Sequence, residues 1–165
     1  MPHIRKRHAI EQLKKKLRFS PVVTLQGVRQ SGKSTLVREL LDQKLYVTLD
    51  RVPTREQAQN RTESWIEELR LKAGQSTIAI DEAQKSPAIF DQIKFVVDED
   101  KRPGQFILLG STEFSKEALV KESLTGRVSR LRIFPMSLSE TLSLPLHHQK
   151  KPTRQELIYY LNRGG

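Results

Sequence analysis

Between a β-branched run, Val22-Val23-Thr24-Leu25, and a stretch with apolar residues at helical spacing stands Gly27-Val28-Arg29-Gln30-Ser31-Gly32-Lys33-Ser34. Few octapeptides leave a chain so little choice of fold. Gly27 and Gly32 permit backbone conformations that curl successive N–H groups around an anion. The helix expected to start near Ser31, carrying Leu36, Val37, Leu40 and Leu41, directs its positive end at the same point. Arg29, Gln30 and Ser31 supply the intervening loop, and Thr35 is a helix residue with a secondary contact. In this pattern Lys33 reaches the β- and γ-phosphates of a nucleotide and the Ser34 hydroxyl ligates Mg²⁺. A match to G-x-x-x-x-G-K-S/T arises by accident in roughly one chain of this length in 200. One that also follows a strand and opens a helix is rarer still.

The alternation continues along the chain. Leu45 to Asp50, Thr77-Ile78-Ala79-Ile80, Phe106-Ile107-Leu108-Leu109 and Ser129 to Phe134 read as further strands. Between them the spacing predicts a helix capped by Thr54 that carries Ala58, Trp65, Ile66 and Leu69 and breaks near Asn60. Another has Ser86 at the N-cap, Pro87 in first position and Ile89, Ile93 and Val97 on one face. Residues 115–124 also look helical. Ser137 with Glu140, and Thr153 with Glu156, have capping-box spacing. Strands this continuously apolar are covered on both faces, so the sheet is expected to be parallel. The fold class is α/β, a doubly wound parallel sheet of about five strands flanked by helices. Residues 1–20 are expected to form a basic helix packed on a core of 21–144. Residues 145–165 are a connection, with His147 and His148, and the start of a helical region.

In a doubly wound sheet, ligands sit beyond the carboxyl ends of the strands. The strand Ile78-Ala79-Ile80 ends in Asp81-Glu82, 48 residues after Lys33. Asp81 is placed to organise a magnesium ion, and Glu82, pointing the other way, to polarise water for attack on the γ-phosphate. Gln84 is a candidate for positioning that water. Ser111, after the fourth strand, faces the γ-phosphate if that strand lies between the first and third; otherwise it is a small polar turn residue. Arg127 is a candidate for contact with the γ-phosphate, in its own subunit or a neighbour's, or else a plain surface arginine.

Charge and composition bound the partners. Lys and Arg total 29 against 19 Asp and Glu, a net charge of +10, which favours polyanions. Residues 1–18 hold Arg5, Lys6, Arg7, Lys14, Lys15, Lys16 and Arg18 against Glu11 alone. They form a solvated helix face over a buried stripe of Ile10, Leu13 and Leu17, or a non-specific nucleic-acid contact. The chain has no cysteine, so disulfide frameworks, thiolate zinc sites and cysteine nucleophiles are excluded. Its longest aliphatic and aromatic runs, about four residues, are too short to span a membrane. A cytoplasmic setting is the expectation.

The run from Gly27 to Leu36 resembles the loop of a large group of prokaryotic AAA-type P-loop ATPases. Leu49-Asp50, Ile80-Asp81-Glu82-Ala83-Gln84-Lys85-Ser86-Pro87, Leu109-Gly110-Ser111, Leu124-Thr125-Gly126-Arg127 and Pro135-Met136-Ser137-Leu138-Ser139-Glu140 extend the likeness over nearly the whole chain. Loops of that group more often carry Pro after the first glycine, where this chain has Val28. The group usually continues into a C-terminal domain of nuclease-like appearance. The resemblance therefore implies an isolated ATPase module whose partner is that domain or a separate protein, with oligomers compatible. It implies ATP and Mg²⁺, held by the residues named above, with Lys33, Glu82 and Arg127 as the catalytic set. Two alternatives stand beside hydrolysis. One is a nucleotide-controlled switch that binds nucleic acid or a protein. The other is a small P-loop phosphotransferase, though no arginine-rich lid is evident. No Asn-Lys-x-Asp run for reading guanine is present.

Overall fold

The computed structural model describes residues 7–41, 45–111, 124–143 and 151–163. Strands β1 (Val22–Gln26), β2 (Tyr46–Thr48), β3 (Ile78–Asp81), β4 (Phe106–Gly110) and β5 (Val128–Arg132) form one parallel sheet. Their order is β2-β3-β4-β1-β5. The α/β expectation holds, with five strands.

The path from β1 to β2 crosses the sheet in one direction, and every later crossover returns in the other. Right-handed connections then place the first crossover helix on one face and the later ones on the opposite face. The two cores follow this division. α2 (Lys33–Leu40) packs Leu36 and Val37 against Val23, Leu25, Ile107 and Leu109. α3 (Val52–Asn60), α4 (Thr62–Ala73) and α5 (Ala88–Glu99) bring Ala58, Trp65, Ile66, Leu69, Ile89, Phe90 and Ile93 against Ile78, Ile80, Phe106 and Leu108. Successive residues of β3 and β4 thus serve opposite cores, as strand geometry requires.

α1 (Ala9–Leu17) lies on the α2 side. It buries Leu13 completely, with Ile10 and Leu17 packed beside it, while Lys14, Lys15 and Arg18 face solvent. Burial of Leu13 alone contributes about 1.5–3 kcal/mol to docking this helix. After β5 come the short α6 (Leu138–Thr141) and α7 (Arg154–Arg163), where Tyr160 donates to the Met136 carbonyl at 3.0 Å. Both predicted capping boxes form.

Three local expectations change. The second strand is an edge of three residues, because only β3 is available to pair with it. The helix expected to be capped by Thr54 starts earlier, at Val52 with Pro53 in its first turn, while its expected break near Asn60 does occur, with Arg61 between the two helices. Ser86 does not cap α5. Its hydroxyl donates to the Ala58 carbonyl at 3.1 Å, and Pro87 takes the cap position. Residues 115–123, His147 and His148 lie outside the described residues, although Leu124 is buried in the core. Among the described residues no helix is long and apolar enough to cross a membrane.

Candidate functional site

Connections leave β1 and β4 in opposite directions, which opens a crevice between their carboxyl ends. The loop Gly27 to Gly32 fills the β1 side of it. Gly27 has no room for a side chain: an added Cβ would overlap the Ile133 carbonyl oxygen and stand 2.8 Å from the Ser31 hydroxyl. Gly32, with φ of 84°, and Gln30, with φ of 63°, supply left-handed turns that curl the backbone. α2 starts immediately, and the first-turn N–H groups of a helix have no carbonyl one turn below to bind.

Lys33, 8% exposed, donates from Nζ to the carbonyls of Gly27 and Val28, both at 2.9 Å. Its amine is therefore held across the mouth of the loop. Burial pushes its pKa below the usual lysine value, and the Asp81 and Glu82 carboxylates partly oppose this. Both charges thus act on the ammonium.

The acidic side is built at the tip of β3. Ser34 Oγ donates to Asp81 Oδ2 at 2.8 Å, joining the two predicted metal-side residues. The Glu82 N–H holds the other carboxylate oxygen at 2.9 Å. Tyr46, from the edge strand, also donates its hydroxyl to Asp81. Burial, together with that bond, pushes Tyr46 up to about 12, so at neutral pH the phenol keeps its proton and serves Asp81 as a hydrogen-bond donor. Glu82 sits at φ of 55°, an arrangement costing about 1–3 kcal/mol for a residue with a side chain. Gln84 Nε2 donates to Glu82 Oε2, which orients that carboxylate.

The remaining predicted residues divide. Ser111 follows β4, which does lie between β1 and β3, in register with Gln26 at Gly110. Arg29, Gln30 and Thr35 are exposed around the loop. Arg127 is not there. It precedes β5, whose five residues run about 16 Å from that end of the sheet to the loop end. Its guanidinium grips Asp98 with Nε and NH2, the latter at 2.8 Å, and donates to the Thr125 carbonyl at 2.9 Å. Contact with the loop of its own subunit is thereby excluded.

Two neighbours of the site were not singled out by the sequence. Tyr46 appeared only as a strand residue, and Arg7 only as one of a basic run. Arg7 is 8% exposed and donates to the Ser31 carbonyl in the loop at 2.8 Å. Both contacts are made across the fold, 35 and 24 residues along the chain, so no local pattern announces them.

The donor set fits a phosphate chain with a hard divalent cation. Ser31 Oγ is buried at the loop and makes no hydrogen bond among the described residues. Among those residues no group of three or more His, Cys, Asp or Glu side chains forms a metal cage. Mg²⁺ is commonly held by one or two protein oxygens together with substrate phosphates, and Ser34 with Asp81 supplies such a pair.

A family model described as an AAA domain matches residues 19–142. An uncharacterized protein of Mycobacterium tuberculosis and one of Mycobacterium bovis are each 33% identical over 137 residues, covering 83% of this chain. The chain spans about 30% of the length of those relatives. A Walker-type ATPase of Pyrococcus abyssi superposes with a TM-score of 0.48 and 16% identity, over 87% of this chain and 60% of that one.

Proposed function

The chain belongs to the AAA domain family, and from that premise we propose that it binds ATP with Mg²⁺ and hydrolyses it. The observation that carries the reading is the Ser34–Asp81 hydrogen bond of 2.8 Å beside a lysine suspended over the loop. The loop amides and Lys33 bind the phosphates, and Ser34 and Asp81 hold the cation. When bound, Mg²⁺ neutralises charge on the phosphate oxygens. Glu82 accepts the proton of the attacking water, its carboxylate held by Gln84. Ser111 lines the γ-phosphate side.

Glu82 directly after Asp81 favours attack by water over transfer to an acceptor, which sets the phosphotransferase alternative second. The activity of the longer relatives as wholes lies beyond this segment. We propose that the ATPase drives the remainder of such longer proteins, or a separate partner.

Titration of a fluorescent ATP analogue with Mg²⁺ tests the binding step. Lys33→Ala is expected to weaken affinity about tenfold or more, as loss of a charged hydrogen-bond donor does. Equal affinity in the two proteins would remove the nucleotide reading. Glu82→Gln is expected to keep binding while phosphate release falls about 100-fold or more. Scoring free phosphate against phosphorylated acceptor in the same assay separates hydrolysis from transfer.

A further inference from the structure

We propose that Arg7 is a positioning residue for the phosphate loop, turning the Gly32 N–H toward the bound phosphate by holding the Ser31 carbonyl. The proposal rests on the phosphate-loop reading above. Arginine is seldom buried without partners, and Arg7 has three. Nε donates to Glu140 Oε1 at 3.1 Å, NH1 to the Ser31 carbonyl at 2.8 Å and NH2 to the Phe134 carbonyl at 2.8 Å. One planar fork therefore joins the N-terminal segment, the phosphate loop, the exit of β5 and α6.

The geometry of the peptide unit gives this contact its effect. In a trans peptide the C=O and the following N–H point in opposite directions within one plane. Fixing the Ser31 oxygen on Arg7 aims the Gly32 N–H away from Arg7, the side on which the phosphate-loop reading puts the anion. Gly32 is glycine for a second reason beyond its φ of 84°: a Cβ there would stand 2.6 Å from Arg7 NH1. The loop and the guanidinium occupy adjoining space.

Glu140 makes the arrangement rigid. It accepts from the N–H groups of His8 and Ser137, both at 2.8 Å, as well as from Arg7. It also balances the Arg7 charge, so the contribution of Arg7 to the loop is orientation more than field. A lysine has no planar fork and cannot meet three acceptors set around one plane.

The test uses the whole chain. Arg7→Lys is expected to weaken the fluorescent ATP analogue about tenfold or more. At saturating nucleotide its Gly32 amide proton should move less than half as far as in the native protein. Ser137→Ala, which loosens the cap of α6 but keeps the backbone N–H to Glu140, should lower the melting temperature and leave affinity unchanged. Native affinity or a native Gly32 shift in Arg7→Lys overturns the proposal. So does a loss of affinity in Ser137→Ala as large as in Arg7→Lys, since general loosening would then explain both. Should Arg7→Lys not fold, Arg7→Gln, with a single donor amide, takes its place under the same expectations. Lys33→Ala binding as tightly as the native chain would instead defeat the nucleotide reading, independently of Arg7.

Discussion

Two glycines of the loop are required for different physical reasons. Gly32 adopts a left-handed φ and leaves space for a side chain that approaches from 25 residues away in sequence. Gly27 is needed because the backbone just past β5 runs against it, with the Ile133 N–H donating to the Gln26 carbonyl at 2.6 Å. The obstruction at Gly27 is main chain and cannot rotate aside. Gly27→Ala is therefore expected to destabilise the fold by about 1–3 kcal/mol, read from urea unfolding, and to weaken nucleotide binding in the same variant. An unchanged unfolding midpoint would mean that the end of β5 yields freely. Both glycines were legible from spacing. Tyr46 and Arg7 were not, because a tyrosine in an apolar strand and an arginine in a basic run look ordinary until the sheet brings them to Asp81 and Ser31.

At the scale of elements, caps and periodicity carried most of the information. Ser137 and Glu140 satisfy each other at the start of α6, but Glu140 also serves the tertiary contact with Arg7. Burial pushes its pKa up; the Ser137 and His8 N–H groups and the Arg7 guanidinium outweigh that and hold it below the ordinary glutamate value. The unfolded chain then binds the proton more readily than the folded one. Stability from this group is complete above its ordinary pKa and declines as pH falls through the lower folded value. Glu140→Gln should be less stable at neutral pH and show a shallower loss as the pH falls from neutral through and below the ordinary glutamate range, measured by urea unfolding across acid pH. Parallel slopes for the two proteins would show that Glu140 titrates alike in both states. Ser86 illustrates the opposite outcome. Its spacing before Pro87 suits a cap, yet the Ala58 carbonyl of a neighbouring helix captures its hydroxyl, since a buried hydroxyl needs a partner wherever one is available.

For the molecule as a whole, strand order decides which polar residues meet. With β4 between β3 and β1, Ser111 lies near the loop and Asp81, while Arg127 stands at the far end of the sheet beside Asp98. Within one subunit, Arg127→Ala is therefore expected to leave phosphate release per chain unchanged when the protein is dilute. A loss appearing only as concentration rises would mark a contact with a neighbour's site, and a loss at every concentration would contradict the separation seen here. The sequence by itself determined the glycine loop from Gly27 to Gly32, the acidic strand tip and the α/β alternation, because each depends on residues close together in the chain and on the periods of strand and helix. Only the tertiary structure decided that Arg7, Tyr46 and Glu140 buttress the site and that Arg127 does not reach it. Those contacts are set by the order in which strands pair and by where buried charges find partners, and neither leaves a periodic trace in sequence.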